Sequence, residues 1–260
     1  MVSPVPKHLR TIEEMNSIPA RFQSHTVDLY PDPHRVQLPP GPKHPAKYAS
    51  GLSTVLVELA GTTDVGDPMA GTGMLAYETG LPLALNDLDV RMKVYLEPLR
   101  ERGCEVSYLP AHEIEWQREC VIFSPPYYPR TDRRRPNAHD DTRRGPVVGF
   151  RDNYGIDHPG FIGNPGGVHA ILGYREQMRR IYSHMTSVAD YMIVVTKNWM
   201  RLGVELRLDL DAILTAMEAG WQCVERHGWE PPPSLWARYN RDRGSMVFVE
   251  DILMFMKGAK

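Results

Sequence analysis

The feature that most constrains the fold is a regular alternation of short apolar runs with segments of helical period. "DVGD", "PLALND", "CEVSYLP", "CVIFSPP" and "DYMIVVTKN" read as strands. Between and around them lie helical patterns. In the first, Tyr48, Leu52, Val55, Leu56 and Leu59 recur at helical spacing before a stop at Gly61. "MLAYETGL", "VRMKVYLEPLRERG", "YREQMRRIYSHMTSVA" and "RLDLDAILTAMEAGW" supply the others. Strands alternating with helices predict an α/β, Rossmann-like fold, a mostly parallel sheet with helices on both faces. "QCVERHGWE" and "SMVFVEDILMFMK", around the loop "PPPS", predict a closing antiparallel hairpin.

At 260 residues the chain suits one large α/β domain. Residues 1–42 read as a Pro-rich N-terminal arm with one short helix at 10–18, and 43–260 as the domain proper. Within it, 129–169 loses all periodicity, and structureless segments of that length are usually functional. A net charge of −2 and 42% hydrophobic residues suit a soluble protein, so nucleic acid would need a local basic patch. No run approaches the roughly 20 apolar residues of a membrane span. "MVSPVPKHLRTIEEMN" lacks the apolar core of a secretory signal. Cys104, Cys120 and Cys223 form no CxxC, and His139, His158 and His169 have no ligand spacing, so neither a metal site nor a disulfide framework is expected. A reducing cytoplasm is the expected compartment.

Two strand ends carry chemistry. In "GDPMAGTG", Asp67 ends a strand, and Gly71 and Gly73 open a helix where backbone N–H groups can meet an anion. Asp87, 14 residues beyond Gly73, ends the next strand, where an acid can accept bonds from both hydroxyls of a ribose. The pair points to a nucleoside-type cofactor; the plain alternative is a tight turn without a ligand. In "FSPPYY", prolines fix where backbone carbonyls point. Ser124 Oγ and the Pro125 carbonyl could then accept bonds from one planar amino group, with Tyr127 offering a stacking face. Here the plain alternative is a Pro-rich turn that merely ends the strand.

"DPMAGTG" followed by "SPPYY" resembles the amino-methylating DNA methyltransferases, which use S-adenosylmethionine to methylate cytosine N4 or adenine N6. "KHPAKYASGLSTVLVEL", "ALND", "DYMIVVTKNWMR" and "EDILMFMK" resemble further segments of that family. The resemblance implies a methyltransferase fold in which Asp67, Ala70, Gly71 and Gly73 line the methionine end of the cofactor, with Lys43, His44, Pro45 and Ala46 close by. Asp87 would hold the ribose, and Ser124, Pro125, Pro126 and Tyr127 the target base. Ser at the first motif position is commoner among the cytosine-N4 enzymes, which tilts the expectation toward cytosine N4. The resemblance implies a site-specific enzyme, one that reads a short site, acts within a restriction-modification or phage-type system, or needs a partner. The chain departs from the family in three ways. "YLPAHEIEW" lacks an acid at the end of the third strand, leaving His112, Glu113 or a backbone group to meet the adenine amine. The glycine motif precedes SPPY, the reverse of many SPPY enzymes. A large separate recognition domain is missing.

The segment 130–151 holds seven arginines (Arg130, Arg133, Arg134, Arg135, Arg143, Arg144 and Arg151) against Asp132, Asp140 and Asp141, a local balance of +4. Arginine clusters suit phosphate backbones, so 129–169 reads as a basic recognition insert or, more plainly, as a solvated loop. Lys197, Asn198 and Arg201 follow the fifth strand and either touch substrate or cap the strand end. Three rival readings stand: an RNA base-amine methyltransferase, a catalytically silent nucleic-acid-binding subunit of this fold, and a small-molecule methyltransferase.

Overall fold

The computed structural model describes residues 36–42, 48, 51–126, 170–201, 204–229 and 250–258. In chain order the elements are α1 (Leu52–Ala60), β1 (Val65–Asp67), α2 (Met74–Thr79), β2 (Ala84–Asn86), a 3₁₀ turn (Val90–Met92) running into α3 (Lys93–Arg100), β3 (Glu105–Ser107), a second 3₁₀ turn (Ala111–Glu113) and β4 (Cys120–Phe123). Then come α4 (Ala170–Val188), β5 (Tyr191–Lys197), β6 (Trp199–Arg201), β7 (Val204–Leu206), α5 (Leu208–Glu218), β8 (Trp221–Trp229) and β9 (Glu250–Lys257).

Seven strands form one sheet in the order β3-β2-β1-β4-β5-β9-β8. The first five are parallel; β9 is antiparallel to β5, and β8 to β9. This is the expected Rossmann-like arrangement, with the closing antiparallel pair in place. The chain builds outward from β1 through β2 to β3, then crosses back to lay β4 on the other side of β1. The crevice at that reversal is where open α/β sheets bind ligands.

The apolar strand runs are continuous because both sheet faces are covered. Alternate residues enter different cores. Cys120, Ile122, Ile193 and Val195 join Leu52, Leu56, Leu75, Leu96 and Leu99 beneath α1, α2 and α3. Val121, Phe123, Met192 and Val194 join Met178, Tyr182, Met185 and Trp221 beneath α4 and α5. Each fully buried aliphatic side chain contributes about 1.5–3 kcal/mol. On the first face, Leu38 packs against the core and the Tyr95 hydroxyl donates to the Pro42 carbonyl at 2.7 Å, which ties the end of the arm to α3.

Three details differ from the sequence expectation. The first helix starts at Leu52, so Tyr48 lies outside it; Gly51 sits at φ 87°, a left-handed conformation that interrupts the helical pattern. The N-cap residue of that helix, Gly51, has no side chain to cap it. Glu78 of α2 supplies one, accepting from the N–H groups of Gly51 at 2.5 Å and Ser53 at 3.2 Å. Second, "VRMKVYLEPLRERG" divides into a 3₁₀ turn and an α-helix, the turn begun by Asp89, whose side chain accepts from the Arg91 N–H. Third, a hairpin, β6–β7, stands between β5 and α5 where only a connection was expected. Among the described residues, no helix is long and apolar enough to cross a membrane, and no group of three metal-ligating side chains occurs.

Candidate functional site at the sheet switch point

β1 and β4 are parallel neighbours, with Val65 opposite Cys120 and Gly66 opposite Val121. Both therefore end on the same sheet edge, about 4.8 Å apart in the hydrogen-bonding direction. The "DPMAGTG" turn leaves one end and Ser124-Pro125-Pro126 leaves the other. β2, with Asn86 and Asp87 at its end, lies on the far side of β1.

Asp67 is 1% exposed and accepts from the Met69 N–H at 2.9 Å, which starts the turn. Burial pushes its carboxyl well above the usual range; the Met69 N–H opposes this, and the negative charge of Asp87 adds to it. Gly71 and Gly73 have φ of 53° and 70°, which disfavour any residue with a Cβ. A Cβ at Gly73 would also stand 2.8–2.9 Å from Leu99 and Leu96. The glycine there serves backbone shape and the packing of α2 on α3.

Asp87 holds the turn from β2. Its two oxygens accept from the N–H groups of Gly71 at 2.7 Å and Asp89 at 2.8 Å. Ala70, expected beside the cofactor, donates its N–H to the Asn86 carbonyl at 2.8 Å.

Sequence reasoning passed over Asn86, which is 0% exposed and uses its whole amide. Nδ2 donates to the carbonyls of Pro68 at 3.1 Å and Leu109 at 2.8 Å. Oδ1 accepts from Ser107 Oγ and the Leu109 N–H, both at 2.9 Å. One side chain thus joins the loops leaving β1 and β3, the two walls that flank β2. The only signal was a polar residue at an otherwise apolar strand position.

His112 and Glu113, offered as substitutes for the missing acid, lie on the 3₁₀ turn after β3. They are 34% and 57% exposed and approach each other at 3.5 Å. At the end of β4, Ser124 and Pro126 are half-buried and Pro125 is buried. The Tyr174 hydroxyl of α4 donates to the Pro126 carbonyl at 3.2 Å.

At the end of β5, Lys197 pairs with Glu250 at 3.7 Å, and just beyond it Asn198 Oδ1 accepts from the Asp209 N–H at 3.1 Å, capping α5. Asp209 is fully buried and also binds Arg207 and Arg226; Arg226 reaches Asp251 at 3.0 Å. These charges hold the base of the β6–β7 hairpin. Lys43, His44, Pro45, Ala46, Tyr127, Arg130, Arg133, Arg134, Arg135, Arg143 and Arg144 lie outside the described residues.

No protein-family model and no curated protein matches the chain. Solved structures do. One is a candidate RNA methyltransferase from Pyrococcus horikoshii, at 15% identity over 80% of this chain and 82% of that one, with TM-score 0.45. Another is the magnesium protoporphyrin IX methyltransferase of Synechocystis with bound SAM, at 12% identity over 80% and 79%, with TM-score 0.46. A third is a candidate DNA modification methylase from Thermus thermophilus, complexed with S-adenosyl-L-methionine, at 13% identity over 55% of this chain and 46% of that one, with TM-score 0.32. Likenesses at these identities lie in the fold and bring no substrate with them.

Proposed function

We propose that the chain is an S-adenosylmethionine-dependent methyltransferase acting on an exocyclic base amine of DNA, with cytosine N4 ahead of adenine N6. One observation carries the reading: the buried acid and glycine turn, and Ser124-Pro125-Pro126, follow the neighbouring parallel strands β1 and β4 at the topological switch point. A cofactor loop and an amine-holding loop on adjacent strand ends suit direct transfer between their ligands.

The residues fit this cofactor. Asp67 is a buried acid beside a second acid, an arrangement that favours an incoming cation such as the ammonium of the methionine end. Asp87 stands where a ribose would meet it, with Ala70, Gly71 and Gly73 along the turn and Lys43, His44, Pro45 and Ala46 assigned nearby by motif. When bound, the cofactor supplies a methyl group on a positively charged sulfur.

The chain's own residues then have three tasks. Ser124 Oγ and the Pro125 carbonyl accept from the target amine, draw its nitrogen toward a pyramidal shape and stabilise the positive charge that grows on it. Their rigid placement aligns nitrogen with the methyl group, and positioning supplies much of the rate. Tyr127 stacks on the base and offsets part of the few kcal/mol that flipping costs, at about 1–3 kcal/mol per stacked base. The arginines of the insert, Arg130 to Arg144, contact the phosphates.

The test is incubation with labelled cofactor and either DNA or RNA, followed by mass spectrometry of the nucleosides. N4-methylcytosine in DNA is the expected product, and N6-methyladenine would move the assignment to the other amine. Methyl transfer to RNA alone would overturn the DNA reading. Cofactor binding without transfer to either would mark a silent subunit.

A further inference from the structure

We infer that Tyr174 is a positioning residue for the Ser-Pro-Pro loop, fixing a torsion that the prolines leave loose. The inference rests on the amine-holding role proposed for that loop. The rings of Pro125 and Pro126 fix φ at both positions. A following proline also restricts ψ at residues 124 and 125 to extended values. The torsion left at the end of the motif is ψ of Pro126, which sets where its carbonyl points and where the chain departs. The Tyr174 hydroxyl donates to that carbonyl at 3.2 Å.

The platform behind Tyr174 is rigid. One turn further along α4 lies Met178, followed by Tyr182 and Met185, all buried in the core under the sheet. The Tyr182 ring stands 6.2 Å from that of Phe123, the last residue of β4. The Trp221 indole donates to the Tyr182 carbonyl at 2.8 Å, and His184 Nε2 lies 2.8 Å from the Ile114 carbonyl. Pro126 and Tyr174 also stand on either side of 129–169, 48 residues apart in sequence. The same bond thus clasps the described residues on either side of that segment, Pro126 and Tyr174.

Tyr174→Phe keeps the ring and removes the hydroxyl. Plasmid DNA with labelled cofactor, cofactor calorimetry and thermal melting separate positioning from structure. Because 3.2 Å is long for an O–H···O bond, the expected loss in kcat is moderate, about three- to tenfold. Cofactor affinity and melting temperature should stay at wild-type values. A variant with wild-type kcat on an active parent would overturn the clasp alone. So would parallel losses of kcat, cofactor affinity and melting temperature, which would mark a merely structural contact. A wild-type chain inactive on both DNA and RNA would overturn the reading of the site, and the clasp with it.

Discussion

At Asp67 function and stability oppose each other. An almost wholly buried carboxyl beside Asp87 is costly to ionise, yet it is the group that would receive the cationic end of the cofactor. Asp67→Asn keeps an acceptor for the Met69 N–H and removes the charge. The free protein at pH 7 should therefore melt higher by about 2–4 °C, the scale of ~1 kcal/mol in a chain of this size, while calorimetry shows cofactor binding weakened about tenfold or more. Ser124 makes the opposite case, because it is half-buried at a strand end and its hydroxyl would act chiefly as positive charge develops on the amine. Ser124→Ala should leave melting within about 1 °C and lower kcat about 10- to 100-fold in the labelled-methyl assay. Full activity in that variant would sink the catalytic assignment.

Between elements, Asn86 binds the loops leaving β1 and β3 across β2, and its loss would free four backbone and side-chain groups at once. Asn86→Ala should cost about 2–4 kcal/mol, seen as a lower urea midpoint at an unchanged slope. The strands themselves were legible because runs such as Cys120–Phe123 are buried on both faces, so apolar character is continuous and hard to miss. The strand ends Asp67, Asp87 and Ser124 were legible because their chemistry interrupts that pattern. Asn86 interrupts it as well, but nothing local says that its partners lie 18 to 23 residues away in two loops. Glu78 hid for the same reason: it caps a helix other than its own. The β6–β7 hairpin was missed because two three-residue strands hold no detectable period, and their base is held by Asn198, Arg207 and Asp209 rather than by a pattern within them.

Across the whole molecule these charges set a pH profile. Burial raises the folded-state carboxyls of Asp67, Glu250 and Asp251, the last two against the pull of Lys197 and Arg226 respectively. Each binds its proton more tightly folded than unfolded, so its stabilising contribution is complete below the unfolded pKa near 3.8–4.5 and is lost as pH rises through the higher folded value. Asp209 runs the other way. Burial alone would raise it, but the Arg207 hydrogen bonds and the Arg226 charge bring it below its ordinary value, so its contribution holds above the unfolded pKa and disappears as pH falls through the folded one. Buried Tyr182, pushed well above its ordinary value chiefly by burial, adds a loss at strongly alkaline pH. The melting temperature of the free protein should therefore fall as pH rises above the unfolded carboxyl range, and fall again in strong acid as Asp209 is protonated. Comparison with Asp67→Asn isolates one carboxyl from all other titrating groups: the difference in melting temperature should be small at pH 4.5 and grow with pH. Saturating cofactor at pH 7.5 should raise the wild type more than the variant, because only the wild type gains a partner for its buried charge. A difference that stays constant across this range would separate Asp67 from both the pH profile and the cofactor.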